Sequence, residues 1–298
     1  MIARKARRAI ERVGVLGAIV KSAPGQHVVQ TARGARVVRE PLRFIALQLR
    51  PAPAADYRLR KSGLRIFLRH RTRDVHILNE IFGGTGGRNS YEPPLAVACA
   101  LAGNPAPRIL DLGGNIGLFG TYVLGRWPAA KIHSFEPDPT NLRILRRVIA
   151  ANELERRWSV TPAAVANHSG EMDFASGLFA DSHLASEEDG HRAATLEKAP
   201  GCDGAQTITV PTSDIFEEDH DVDLMKMDIE GGEWPILTDP RLAGLKANVL
   251  VLEWHARGCP EPNARAATVR LLRTAGYTGL EEIETGAENG LLWAWREV

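Results

Sequence analysis

Three cysteines in 298 residues are too few and too scattered to staple this chain together. Cys99, Cys202 and Cys259 show neither a disulfide framework nor the close pairing of a structural metal site, which fits a reducing cytoplasm. No apolar stretch approaches the length of a membrane span. The run "VGVLGAIV" at 13–20 is short, is flanked by Glu11, Arg12 and Lys21, and is followed by no clear small-residue cleavage signal. The dinucleotide pattern G-x-G-x-x-G is also missing: counted from Gly113, its second and third glycines are Asn115 and Leu118. No internal repeat is visible.

A hydrophobic share of 44% is enough to bury a real core. The net charge of +1 hides an asymmetry. Residues 1–80 carry 18 Lys/Arg against 5 Asp/Glu, whereas the remainder carries 19 against 31. A basic lead segment on an acidic body suggests an anionic partner such as a membrane surface or a phosphate group; a solvated helical extension is the plainer reading. No nucleic-acid partner is expected. With "PAPAAD" at 51–56 read as a linker, residues 1–60 form a basic, mainly helical extension and 61–298 one domain. The expected location is the cytoplasm, with a peripheral contact at the inner face of the membrane through the basic N-terminus.

"LRIFLRH" at 64–70 alternates like a strand, "DVHILNEIF" at 74–82 suits a short helix, and "YEPPLAVACALAG" offers a proline-started one. From residue 108 strands and helices alternate. "RILDLG", "KIHSFEP", "WSVTPAAV", "VDLMKMDI" and "NVLVLEWH" are the strands, and "PTNLRILRRVIAANEL" is typical of the helices between them. Such a pattern argues for an α/β fold with a mostly parallel sheet covered on both faces. "YTGLEEI" and "LLWAWREV" form a hairpin that adds an antiparallel strand at the C-terminus. Between "EMDFAS" and "TITVPTS", residues 177–204 read as a long loop of the kind that often serves as a lid or binding loop. Its His183 and Asp181 could reach a ligand, although an exposed polar loop is the simpler reading. Trp127, Trp234 and Trp254 suit the core or a cleft wall.

Open parallel sheets bind ligands beyond the carboxyl ends of their strands. Asp111, Gly113, Gly114, Asn115 and Gly117 occupy such an end and the turn after it, where glycines let a ligand approach the backbone. Glu136, followed by Pro137, ends the next strand and is placed to accept hydrogen bonds from ribose hydroxyls. The pattern points to a nucleoside. Asp111 would repel a pyrophosphate and suits a cation, such as the amino group or sulfonium of S-adenosylmethionine.

"DLGGNIGLF" followed by "FEPDPTNLRIL" resembles the nucleotide half of class I methyltransferases, most closely those of the FkbM type. The resemblance continues through "PAAVANHSG", "VPTSDIF", "DVDLMKMDIEGGEWPIL" and "VLVLEWH", over roughly residues 70–298. "RTRDVHILNEIFGGTGGRNSY" is similar to the lead-in that such proteins carry. Gly114 stands where alanine is expected. The resemblance implies a Rossmann-like fold and O-methylation from S-adenosylmethionine of a sugar, glycolipid or polyketide-type hydroxyl.

Catalytic candidates lie at the later strand ends. Asp228 ends "LMKMDI", while Glu253 and His255 end "VLVLEWH" on one side of their strand. His255 is the first choice for base because its ordinary pKa lies near neutrality; capping its strand is the alternative. Asp228 could orient the acceptor, serve as base, or bond structurally to Lys226 or Asn115. Glu230 and Glu233 stand at a helix start, which stabilises carboxylates whatever else they do. Magnesium held by Asp228, Glu230 and Glu253 is conceivable, but the spacing does not require a metal. Two other functions compete: a nicotinamide-dependent oxidoreductase, which the missing glycines disfavour, and a non-catalytic nucleoside-binding module.

Overall fold

A computed structural model describes residues 23–49, 54–83, 89–176, 183–184, 206–217 and 221–296. The described chain begins with α1 (Ala23–Val37), α2 (Pro41–Gln48) and a hairpin of β1 (Ala55–Arg58) and β2 (Arg65–Leu68). Helices α3 (Asp74–Phe82) and α4 (Leu95–Ala102) follow, as the sequence pattern predicts. Next come β3 (Arg108–Leu112), α5 (Leu118–Arg126), β4 (Lys131–Phe135), α6 (Pro139–Ala151) and β5 (Trp158–Thr161). A small second sheet is built from β6 (Ala164–Ala166), β7 (Gly170–Ser176), β8 (His183–Leu184) and β9 (Gln206–Asp214). The last elements are β10 (Val222–Met227), α7 (Glu233–Leu237), β11 (Ala247–His255), α8 (Ala264–Thr274), β12 (Gly279–Thr285) and β13 (Asn289–Trp295).

The main sheet has the order β12-β13-β11-β10-β3-β4-β5. Its five strands from β11 to β5 run parallel, and β13 lies antiparallel to both β11 and β12. This is the expected α/β arrangement with an antiparallel C-terminal strand. Ile109, Leu224, Val249 and Val251 enter one apolar core; Leu110, Met225, Leu250 and Leu252 enter another on the opposite face. Alternation therefore persists inside strands that look uniformly apolar, because both faces are covered. The chain steps outward from β3 to β4 and β5, then returns to place β10 on the other side of β3. That reversal opens a crevice at the carboxyl ends of β3 and β10.

"WSVTPAAV" is two strands rather than one. β5 belongs to the main sheet and β6 to the second sheet, and Pro162, which has no N–H to donate, stands between them. The β1–β2 hairpin crosses residue 60, where the sequence reading sets its domain boundary, and ties the described part of the extension to the main core. Phe44 packs edge-on against Tyr57 and His70, and all three are buried. Trp234 and Trp254 are core residues, while Trp127 is partly buried. Residues 1–22 of the expected helical extension and the position of Asp181 fall outside the described residues. Among the described residues no helix is long and apolar enough to cross a membrane.

Asn152, the C-cap of α6, clips that helix to β2. Its Oδ1 accepts from Arg65 N at 2.7 Å, and its Nδ2 donates to Arg65 O and Val148 O, each at 2.8 Å. Asn152→Ala removes these bonds and should cost roughly 1–3 kcal/mol in urea unfolding. A change of only a few tenths of a kcal/mol would mean that apolar packing alone seats the hairpin.

Candidate functional site

Register brings Lys226 of β10 directly opposite Asp111 of β3. The ammonium lies 3.6 Å from Asp111 Oδ1 and 3.3 Å from Asp228 Oδ2, and donates to Gly113 O at 2.9 Å. Ser134 Oγ donates to Asp111 Oδ2 at 2.9 Å and in turn accepts from Trp158 Nε1 at 2.9 Å. Burial pushes the Asp111 carboxyl up, and the charge on Lys226 pulls it back. Burial also works against the ammonium, but Asp228 and Asp111 outweigh it and keep Lys226 charged. Asp111 is completely buried and does not line the cavity beyond the turn. The direct grip on a cationic ligand expected of Asp111 is therefore not the geometry found: its charge is met by Lys226.

The turn itself is drawn in tightly. Gly113 N and Gly114 N both donate to Phe135 O, at 3.1 and 2.8 Å. Gly113 has φ +83°, and a Cβ there would stand 2.0 Å from Asp228 O, so only glycine fits. At Gly114 a Cβ would come within 3.0 Å of Ser134 Cβ and 3.2 Å of Leu145 Cδ2, a tight fit for the expected alanine. Gly117, also left-handed, starts α5. Asn115 N donates to Glu136 Oε2 at 2.6 Å, and Asp138 N donates to Oε1 at 2.8 Å. Each carboxylate oxygen thus holds one backbone N–H, the Asn141 side chain adds a third bond, and the carboxylate keeps capacity for a further donor.

A cavity of about 310 Å³ opens here. Gly113, Gly114, Asn115, Glu136 and Pro137 line one part of it; Asp228, Glu230 and Glu253 line another, and α3 adds His76 and Glu80. Gly117 is not in its wall. Burial raises Glu136 to about 7. Glu80 also rises to about 7, through burial and the charges of Glu284 and Asp228. Burial and Asp228 push Glu253 to about 9, against the opposing charge of His255.

His255 stands behind this wall rather than in it. Its Nδ1 is 3.1 Å from Oε1 of the fully buried Glu233, and its Nε2 is 3.5 Å from Glu230 Oε2 and 3.8 Å from Glu253 Oε1. Burial opposes charge on the ring, but the hydrogen bond and charge of Glu233, helped by Glu230 and Asp228, raise its pKa to about 10. His255 is thus an imidazolium at neutral pH. Among the described residues, one ligand atom each from Asp228, Glu230 and His255 lie within 4.8 Å of one another, a set able to hold a cation; Glu253 is not part of it.

Asp228 and Glu253 are brought together at the cavity. The sequence offers Lys226 only as a structural partner of Asp228, two residues on, and not as the partner of Asp111. Sequence reasoning missed Glu80, although it was legible as an acid inside the apolar helix "DVHILNEIF". The partnership of Glu233 with His255 joins separate elements and left no local trace.

Lys226→Met leaves Asp111 buried without its partner and should cost about 3–5 kcal/mol in chemical unfolding. Adding Asp111→Asn should recover part of that loss. Equal stability of Lys226→Met and the wild type would show that the pair contributes nothing net.

Residues 111–278 match the methyltransferase FkbM domain. The methyltransferase sdnD of Sordaria araneosa is 28% identical over 176 residues, which cover 51% of this chain and 68% of that protein. Among solved structures, the N-terminal domain of EvdMO1 with SAH bound aligns at 18% identity over 68% of this chain and 79% of its own, with a TM-score of 0.39. TYW2 of P. horikoshii in complex with MeSAdo aligns at 13% identity over 81% of this chain and 69% of its own, with a TM-score of 0.38. With more than half of its length matched by the family, the chain belongs to the FkbM methyltransferases.

Proposed function

We propose that this methyltransferase takes its methyl group from S-adenosylmethionine and transfers it to a hydroxyl of a sugar, glycolipid or polyketide-type small molecule. The observation that carries the reading is Glu136, whose carboxylate lines the cavity beside the glycine-rich turn and keeps acceptor capacity for a further donor. Those groups suit a ribose diol and the edge of a nucleoside. The acidic side chains Glu230 and Glu253 across the cavity suit the ammonium group of the donor's amino-acid tail. Bound there, S-adenosylmethionine supplies an electrophilic methyl group with a thioether as leaving group.

The protein's part is to hold the acceptor oxygen in line and to take its proton. Positioning of this kind can supply about 7–11 kcal/mol. Our reading gives the proton to Asp228, which lines the cavity and is anchored by Lys226. His255, charged and set behind the wall, serves to hold Glu230 and Glu253 in place. This replaces the base role that the sequence reading favoured for His255. Magnesium at Asp228, Glu230 and His255 would have to displace the ring proton, and no step of the reading needs it.

Two outcomes are expected. Hydroxyl donors on Glu136 favour its carboxylate, and in the free protein that carboxyl titrates at about 7. Ligand binding therefore releases a proton at acid pH, and affinity for S-adenosylhomocysteine should fall below neutrality by at most about tenfold per pH unit. Calorimetry should show this slope in the wild type and a shallower one in Glu136→Gln, where Glu80, raised to about 7 in the same cavity, still titrates. Tight binding with the same slope in both proteins would remove Glu136 from the site. In single-turnover methyl transfer, with an acceptor found by radiolabel screening, Asp228→Asn should slow the chemistry by ~10²–10⁴-fold. Were Asp228→Asn to stay within about threefold of wild type, well inside that range, while His255→Ala collapsed, the base would be His255.

A further inference from the structure

Helix α2 turns an apolar face to solvent. Its buried residues are Phe44, in the core with Tyr57 and His70, and Gln48, whose Oε1 accepts from Arg71 N at 3.1 Å. On the opposite side Leu42, Ile45, Ala46 and Leu49 fall within an arc of about 100°. Leu42 is 81% exposed, Leu49 76% and Ile45 41%, and Ala46 is exposed as well. Scattered exposed aliphatics are ordinary, but here a helix buries a glutamine and shows solvent a continuous stripe.

The surroundings of that stripe are basic. Between residues 23 and 73 the chain holds twelve Lys/Arg and two Asp/Glu, although Arg69 is buried against Asp74 and Arg43 and Arg65 pair with Asp56. Main-chain and side-chain bonds gather several of them at the start of α2: Arg39 N donates to Arg58 O at 2.8 Å, Arg60 N to Val37 O at 2.9 Å, and Arg60 Nε to Arg36 O at 3.1 Å. Arg36, Arg39, Arg58, Arg60 and Lys61 are all exposed. Of the two acids, Asp56 is engaged by Arg43 and Arg65, and Glu40 accepts from Arg58 N.

We propose that α2 docks the protein on an anionic lipid surface, with Leu42, Ile45 and Leu49 entering the acyl boundary and the arginine rim meeting the head-group phosphates. An interfacial helix combines these two features: an apolar face that inserts and cations that meet anionic lipid. A second copy of the chain would set this rim against itself, like charge on like charge. A nucleic acid would meet the arginines but leave the aliphatic stripe in water. The inference concerns a face made by α1, α2 and the β1–β2 hairpin and is independent of which acceptor is methylated.

The test is sedimentation of the full chain with vesicles of phosphatidylcholine alone or mixed with phosphatidylglycerol. Binding is expected only to the mixed vesicles and should weaken as salt is raised. Leu42→Glu combined with Leu49→Glu should lower partitioning by roughly tenfold or more while thermal unfolding stays unchanged, because both side chains lie outside the core. Arg39→Gln with Lys61→Gln should weaken binding to mixed vesicles without touching the stripe. Three results would overturn the proposal: no binding to mixed vesicles, equal binding to both compositions, or unaltered binding by the Leu42/Leu49 variant. A self-association that the leucine variant abolishes, with no vesicle binding, would assign the face to a second copy instead.

Discussion

One buried ammonium holds the ends of the two central strands together. Lys226 lies between Asp111 at the end of β3 and Asp228 just beyond β10, and also caps the Gly113 carbonyl. Without that charge, β3 and β10 would end in two carboxylates close together, one of them fully buried. Burying an unpaired carboxylate costs several kcal/mol, on the order of the stability of a whole domain. The parallel register that sets Lys226 opposite Asp111 is therefore both a sheet pairing and an electrostatic requirement.

The ligand crevice follows from this arrangement. The lysine fixes the carbonyl of Gly113, the Phe135 carbonyl collects the two glycine amides, and the turn closes against Asp228 with no room for a Cβ. Glu136 is then left facing the cavity as an acceptor, oriented by the amides of Asn115 and Asp138. At the far end a second cation plays a matching part: His255, charged through Glu233, is surrounded by Glu230 and Glu253. Lys226 itself reaches the cavity wall, whereas His255 stands behind it. Acidic side chains outnumber basic ones in that wall, a polarity that suits a methyl donor carrying positive charge.

Much of this was legible in the chain. The apolar strands from residue 108, the helix that starts at Pro139 and the C-terminal hairpin all follow from periodicity and turn residues, and the glycine turn with Glu136 marks the crevice. Legibility stopped where long-range pairing decides the outcome. Asp111 looked like a ligand contact because its partner Lys226 is 115 positions away and meets it only through the register of β3 and β10. His255 looked like a base because its ordinary pKa is near neutral, and only the fold reveals three carboxylates around the ring. The exposed stripe of α2 was hidden for a similar reason: helical periodicity shows two faces, but tertiary packing chooses which one is buried.

A crystal structure of the protein with bound S-adenosylhomocysteine tests the central claim most directly. The account expects the ribose hydroxyls on Glu136, the amino group of the tail toward Glu230 and Glu253, and Lys226 still seated between Asp111 and Asp228. A structure in which Lys226 has swung away and Asp111 itself contacts the amino group would contradict it.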